Sequence, residues 1–187
     1  MANLILNGST SGSVTLSSPA VSGTTTLTLP TTSGTVLTNG INSNFPAGSV
    51  LQVVQGTYGT ETQTSSSTFS DTGLSASITP SSSSNKILIF VSHAGCLKYS
   101  TNTSIGMRIL RGSTSIHDFG GRAGLTDGTV ANEVGTMATM YLDSPATTSS
   151  TTYKTQYKST NNTGFALLQD ANAGAVVSTI MLMEIKG

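Results

Sequence analysis

Charge is what this chain has least of. Its 187 residues hold eight Lys plus Arg and eight Asp plus Glu, 9% of the total, and the formal net charge is zero. An average globular domain is roughly 25% charged. Nucleic-acid binding needs a clustered basic footprint; no basic run occurs, so no nucleic-acid partner is expected. Tryptophan is absent, and Cys96 is the single cysteine. One cysteine excludes an intrachain disulfide, so stability has to come from packing and from association between chains. No run comes near the about eighteen apolar residues of a membrane-spanning helix, and no membrane partner is expected. Met1 to Leu6 has neither the cationic start nor the long apolar centre of a signal peptide. No segment carries the periodicity of an amphipathic helix.

Ser and Thr take the place of charge, together roughly a third of the chain and well above average usage. Disordered chains combine low hydrophobicity with high charge, whereas this one is 36% hydrophobic and electrically neutral. Thr, Val and Ile in alternation point to β-structure.

Residues 1–40 repeat. Ser11-Gly12-Ser13-Val14-Thr15-Leu16 returns as Ser22-Gly23-Thr24-Thr25-Thr26-Leu27 and again as Ser33-Gly34-Thr35-Val36-Leu37. The Ser-Gly pair advances by eleven each time, and Pro19 and Pro30 keep the same step. Each unit reads as a glycine turn, a short strand and a proline stop. Such a unit exposes nearly as much apolar surface as it hides, so it has to stack on neighbours or on other chains. Val14, Leu16, Leu27, Leu29, Val36 and Leu37 are the residues expected to make that attachment, at about 25 cal/mol per Å² of apolar surface buried.

Residues 41–48 read as a linker and residues 49–187 as one domain. Val50–Gln55, Lys86–His93 and Val176–Ile185 are strongly apolar strands, the second of them central, with the first and last side by side. Leu74, Ala76 and Ile78 alternate with Ser75, Ser77 and Thr79, and Tyr153, Thr155 and Tyr157 alternate with Lys154, Gln156 and Lys158. Residues 118–132 read as a long glycine-rich loop. About eight to ten strands at sandwich spacing give an all-β fold, an antiparallel jelly-roll β-sandwich behind a short β-repeat arm.

Chemistry is sparse. Eight scattered acids offer no facing pair for a glycosidase, and no G-x-S-x-G occurs. His93 and Cys96 stand three apart in a strand and are expected on opposite faces, which excludes a nucleophilic dyad. His117, Asp118, Asp127, Asn132 and Glu133 lack the alternating order of a calcium loop, and no metal or other cofactor is expected. Tyr58, Tyr99, Tyr141, Tyr153 and Tyr157 are the tyrosines available for sugar stacking. A recognition loop, if one exists, is expected at Phe119, Arg122, Asp127 and Asn132, because long irregular loops on rigid scaffolds carry recognition.

The arm, from Gly12-Ser13-Val14-Thr15-Leu16 through Leu27-Thr28-Leu29-Pro30 to Gly34-Thr35-Val36-Leu37-Thr38, resembles segments of tailed-bacteriophage structural proteins, notably of phages from aquatic bacteria. The run Asp71-Thr72-Gly73-Leu74-Ser75-Ala76-Ser77-Ile78-Thr79-Pro80, then Asn85-Lys86-Ile87-Leu88-Ile89, and the closing Ser178-Thr179-Ile180-Met181-Leu182-Met183-Glu184-Ile185 resemble phage fibre-like and decoration-like proteins. The stretch from about Lys98 to Thr136 is not covered. The resemblance implies a homotrimer on the virion surface, a capsid decoration or head-fibre protein without enzymatic activity, joined by its arm to other virion proteins. A short tail fibre or a tip recognising host-surface glycan is the second reading it implies. Assembly in the host cytoplasm and release by lysis would follow, and no catalytic residues carry over.

Overall fold

A computed structural model of the chain describes residues 4–7, 9–16, 23, 24, 26, 31, 45–128, 130–161, 164–174 and 176–187. The chain divides into two units, Met1–Val36 and Leu37–Gly187. In the first, β1 (Leu4–Asn7) and β2 (Ser13–Leu16) pair antiparallel, with Leu4 opposite Leu16 and Asn7 opposite Ser13. Val14 and Leu16 therefore lie on β2. Leu27, Leu29, Val36 and Leu37 fall outside the described residues.

The second unit is built from β3 (Val50–Tyr58), β4 (Thr62–Thr64), β5 (Ser70–Ile78), β6 (Lys86–Tyr99), β7 (Ile105–Arg111), β8 (Thr114–Ala123), β9 (Ala131–Asp143), β10 (Thr151–Ser159), β11 (Phe165–Leu168) and β12 (Ser178–Ile185). One sheet runs β3-β12-β6-β9, the other β5-β10-β7-β8, and every pairing is antiparallel. The short strands β11 and β4 extend the first sheet beside the far end of β6. The chain alternates between layers: β3 to β5, β6 to β7 and β8, β9 to β10, then β12. That strand order is the jelly roll, as the apolar pattern predicts. The first and last domain strands do lie side by side, with β12 between β3 and β6.

Period-2 alternation decides which side chains meet between the layers. Leu74, Ala76 and Ile78 of β5, Ile87, Ile89 and Val91 of β6, Ile109, Tyr153, Ile180 and Leu182 form one core. Cys96, Ile105, Met107, Met137, Tyr157, Ala166 and Leu168 form a second. Each fully buried aliphatic side chain contributes roughly 1.5–3 kcal/mol.

Two departures from the sequence reading have local causes. Residues 118–132 are mostly strand: β8 runs to Ala123 and β9 starts at Ala131. The glycines that suggested a loop accommodate irregular pairing, with register shifts between Ile105/Met107 and Ile109/Leu110 on the partner strand. In β6, the register against β9 slips between His93 and Cys96, where Gly95 adopts φ 57. A side chain there would come within 2.8 Å of the Asp170 nitrogen and 2.9 Å of Val176 Cγ2. This bulge adds one residue and returns Cys96 to the inner face.

Close approach of the layers also depends on Gly56, where a Cβ would overlap the Ser75 carbonyl oxygen of β5 and sit 3.0 Å from Ile180 Cγ2. Backbone cannot rotate away as a side chain can. Gly56→Ala is expected to cost about 1–3 kcal/mol, read as a lower melting temperature by circular dichroism; an unchanged melt would show that the two layers can separate at this point.

Candidate functional site

The predicted recognition residues are brought to no common site. Phe119 on β8 packs against both cores. Arg122 is exposed on β8 and Asp127 is exposed in the connection. Asn132 on β9 donates from Nδ2 to the Gly124 carbonyl at 3.2 Å, closing the same connection. His117 and Asp118 diverge, as neighbours on a strand must. His117 stacks on Tyr141 at 4.9 Å and bonds Thr139 through Nε2 at 3.0 Å. Asp118 instead accepts from Ser115 Oγ at 3.2 Å. Among the described residues no group of three or more His, Cys, Asp or Glu is placed to hold a metal ion.

His93 and Cys96 do not point to opposite faces. The Gly95 bulge turns both inward, and both are fully buried. They still form no dyad. Cys96 Sγ donates to the His93 carbonyl at 3.3 Å rather than meeting the ring. Burial pushes the thiol up to about 11 and the imidazole down to about 4, so neither charged form is favoured.

His93 belongs instead to a polar belt between the two cores. On β10, Thr155 lies between Tyr153 and Tyr157; on β6, His93 lies between Val91 and Cys96. His93 Nε2 is 2.9 Å from Thr155 Oγ1, which is 2.6 Å from Thr72 Oγ1, which accepts from the Leu74 amide at 3.1 Å. On the other side His93 Nδ1 is 3.4 Å from the Gln169 amide. That amide is best satisfied with its oxygen accepting from Ser178 Oγ and its nitrogen donating to the Thr60 carbonyl at 3.2 Å. The belt links β5, β10, β6 and β12 across the layers, and every member is satisfied with a neutral imidazole. Two further clamps flank it. Arg111 on β7 holds Asp143 on β9 with NH1 3.0 Å from each carboxylate oxygen, and Tyr153 donates to the same carboxylate at 2.7 Å. Burial raises the pKa of Glu184, but hydrogen bonds from Asn85, Gln52 and Ser81 outweigh it and hold the carboxyl below its usual range.

The outer faces of the two sheets differ in kind. On β5-β10-β7-β8, Lys154 pairs with Asp71 at 2.8 Å, Gln156 donates to Asp71 at 2.7 Å, and Arg108 donates to Gln156 at 2.9 and 2.6 Å. Arg108 and Lys158 both lie over the Phe69 ring, at 4.1 and 4.7 Å from its centroid. Lys158, Phe69, Asp118 and Phe119 border a groove of about 350 Å³ floored by Gly106, Gly120 and Gly121.

The outer face of β3-β12-β6-β9 carries no charge over three cross-strand rows. They read Val53–Met183–Leu88–Leu142, Gln55–Met181–Phe90–Met140 and Thr57–Thr179–Ser92–Ala138. Met140 is 66% exposed, Val53 53% and Leu142 47%. A groove of about 370 Å³ runs along Phe90, Ser92, Ala138, Met140, Thr179 and Met181. Sequence reasoning missed this face. Its signal is the near-continuous apolar character of Lys86–His93 and Val176–Ile185, which by itself points to a central strand and to a strand beside Val50–Gln55. A run without alternation has two apolar faces, and the core covers one.

No family model and no curated protein matches this chain. Among solved structures, it is similar to the infectious bursal disease virus VP2 subviral particle, with a TM-score of 0.42 and 12% identity over 85% of this chain and 46% of that one. A structure of the infectious bursal disease virus Gt strain is similar with a TM-score of 0.37 and 14% identity, over 97% of this chain and 46% of that one. The chain thus spans about half the length of either. The jelly-roll assignment rests on the strand order.

The belt makes stability depend on pH. An unfolded imidazole titrates near 6.5 and the buried one near 4, so below pH 6.5 protons favour the unfolded chain. The contribution is complete above about pH 6.5 and is lost as pH falls toward 4. Asp71 and Glu184 have lowered pKa values, so their contributions are lost only as pH falls through and below the ordinary carboxyl range of about 4, under the pH 7 to 5 interval that isolates His93. Unfolding free energy is expected to drop by about 2 kcal/mol between pH 7 and 5. In His93→Gln, which keeps His117, denaturant titrations should show that slope flattened; an equal slope in both proteins would mean that His93 is not the titrating group.

Proposed function

We propose that this chain is a non-enzymatic structural protein of a virion, a homotrimer exposed on the surface of a tailed-bacteriophage particle as a capsid decoration or head-fibre protein. The observation that carries the reading is the set of three uncharged cross-strand rows on the outer face of β3-β12-β6-β9. Monomeric soluble proteins rarely leave a contiguous apolar patch of this breadth uncovered, and rigid jelly rolls are suited to stacking in assemblies. The phage-like segments of the sequence supply the kind of assembly. The arm of residues 1–40 is the attachment device to other virion proteins, because its eleven-residue units cannot bury their own apolar side chains. Assembly in the host cytoplasm and release by lysis follow from this reading.

A short tail fibre or receptor-binding tip is the second reading, and one feature favours it. The groove beside Phe69 combines an aromatic wall, the Lys158 ammonium, the Asp118 carboxylate and a glycine floor, a combination that suits a hydroxyl-rich host-surface glycan.

Antibody labelling of intact particles separates the readings: label on the head supports decoration, label on the tail supports the fibre, and an unlabelled particle overturns both. Deleting residues 1–40 is expected to leave a domain with an unchanged melt that no longer joins the particle. Normal incorporation of the truncated protein would reduce the arm to a spacer and put docking on the β-domain.

A further inference from the structure

We propose that the outer face of β3-β12-β6-β9 is where copies of this chain meet, three around a common axis with their apolar rows turned inward. This rests on the trimeric reading above and names the surface responsible. The occupant is another copy because the face offers an uncharged, deformable partner to itself. Three of the six methionines, Met140, Met181 and Met183, lie on it, and thioether side chains repack readily against one another.

Both edges of the sheet point the same way. An edge strand normally carries charge or proline to discourage pairing. Val50–Tyr58 of β3 has no charged residue and no proline, nor has the stretch Val134–Leu142 of β9. These edges differ in sequence and lie on opposite sides of one sheet. A β3 edge meeting the β9 edge of the next copy is a head-to-tail contact, which gives a ring rather than a two-fold pair when the rotation from copy to copy closes.

Sheet width sets the number in the ring. Four strands about 4.8 Å apart make a sheet about 19 Å wide. Three such sheets, as the sides of a triangular prism, stand about 5.5 Å from the axis, close to half the roughly 10 Å at which sheet faces pack. Four would stand about 9.5 Å away and leave the centre unfilled.

The test is sedimentation equilibrium on the full chain. Wild type is expected at three times 19.0 kDa. Met140→Lys and Val53→Lys, both at exposed positions, are expected to raise the concentration of half-dissociation by about 100-fold or more, since each puts an unpaired charge into a dry interface. Ser75→Glu, on the opposite outer face, should leave it unchanged. A monomeric or dimeric wild type, or a trimer that persists in both lysine variants, overturns the proposal. Hydrogen exchange on the wild type avoids any folding defect: amides of Val134–Leu142 should be protected at high concentration and exchange on dilution, and concentration-independent exchange also overturns it. Particle labelling reads the virion assignment separately. A labelled particle with a monomeric protein sinks this interface together with the trimeric state and leaves the virion assignment standing; an unlabelled particle with a trimeric protein sinks only the virion reading.

Discussion

A two-layer sandwich covers one face of each sheet and leaves the other to solvent or to a neighbour. The organisation of this domain follows from how its two sheets meet that constraint. β5 and β10 satisfy it within the chain: Leu74, Ala76, Ile78, Tyr153 and Tyr157 point inward, while Ser75, Ser77, Lys154 and Gln156 point out. β6 and β12 do not. Ile87, Ile89, Val91, Ile180 and Leu182 fill the core, yet Leu88, Phe90, Met181 and Met183 are apolar as well. Burying the first set forces the second outward, because successive side chains on a strand have opposite directions. The two outer faces therefore have opposite chemistry: one is laced by Asp71, Lys154, Gln156 and Arg108, and the other carries no charge over its three central rows.

The interior meets a second constraint, that of pairing two sheets in one register. Aliphatic side chains alone tolerate sliding. Polar groups do not, since a buried donor or acceptor left unpaired costs about 1–3 kcal/mol. The Thr72–Thr155–His93–Gln169–Ser178 belt joins four strands at one level, and Asp143 and Glu184 tie further elements together. The Gly95 bulge is what admits His93 and Cys96 to the same face. It lets one strand serve the belt and the second core in succession. The neutral imidazole that this arrangement needs is the form burial favours, so the belt and the low pKa of His93 are one fact seen twice.

Much of this was legible in the residues. The alternation of Leu74-Ser75-Ala76-Ser77-Ile78 and of Tyr153-Lys154-Thr155-Gln156-Tyr157 gives strands, inner faces and polarity together. The apolar extremes of the domain correctly place β3 against β12. Three things were hidden. A bulge leaves no period to read, so the facing of Cys96 was inverted. Gly120 and Gly121 in β8 read as a loop because local propensity does not register pairing with a distant strand. The outer apolar face was hidden by a sound rule applied once: a continuous apolar run does signal a strand covered on both sides, but the second cover need not come from the same chain.

The arm and the sheet face, on the proposed reading, depend on each other. A short Ser/Thr-rich repeat buries little apolar surface, so one arm on its own holds a particle weakly. Joining three copies changes this without adding a contact, because once one arm is docked the others bind at the effective concentration set by their tether, and avidity can rise by about 10²–10⁴. Attachment then fails in two distinct ways. Removing the arm abolishes the contact itself. Disrupting the sheet face leaves each contact intact and removes the multiplication, so protein with intact arms would bind and then wash off. On this reading the apolar face contributes to attachment by joining the copies, and rows without charge are suited to it: assembly by such rows changes little with salt, whereas ion pairs exposed to solvent are screened within about 8 Å at physiological ionic strength.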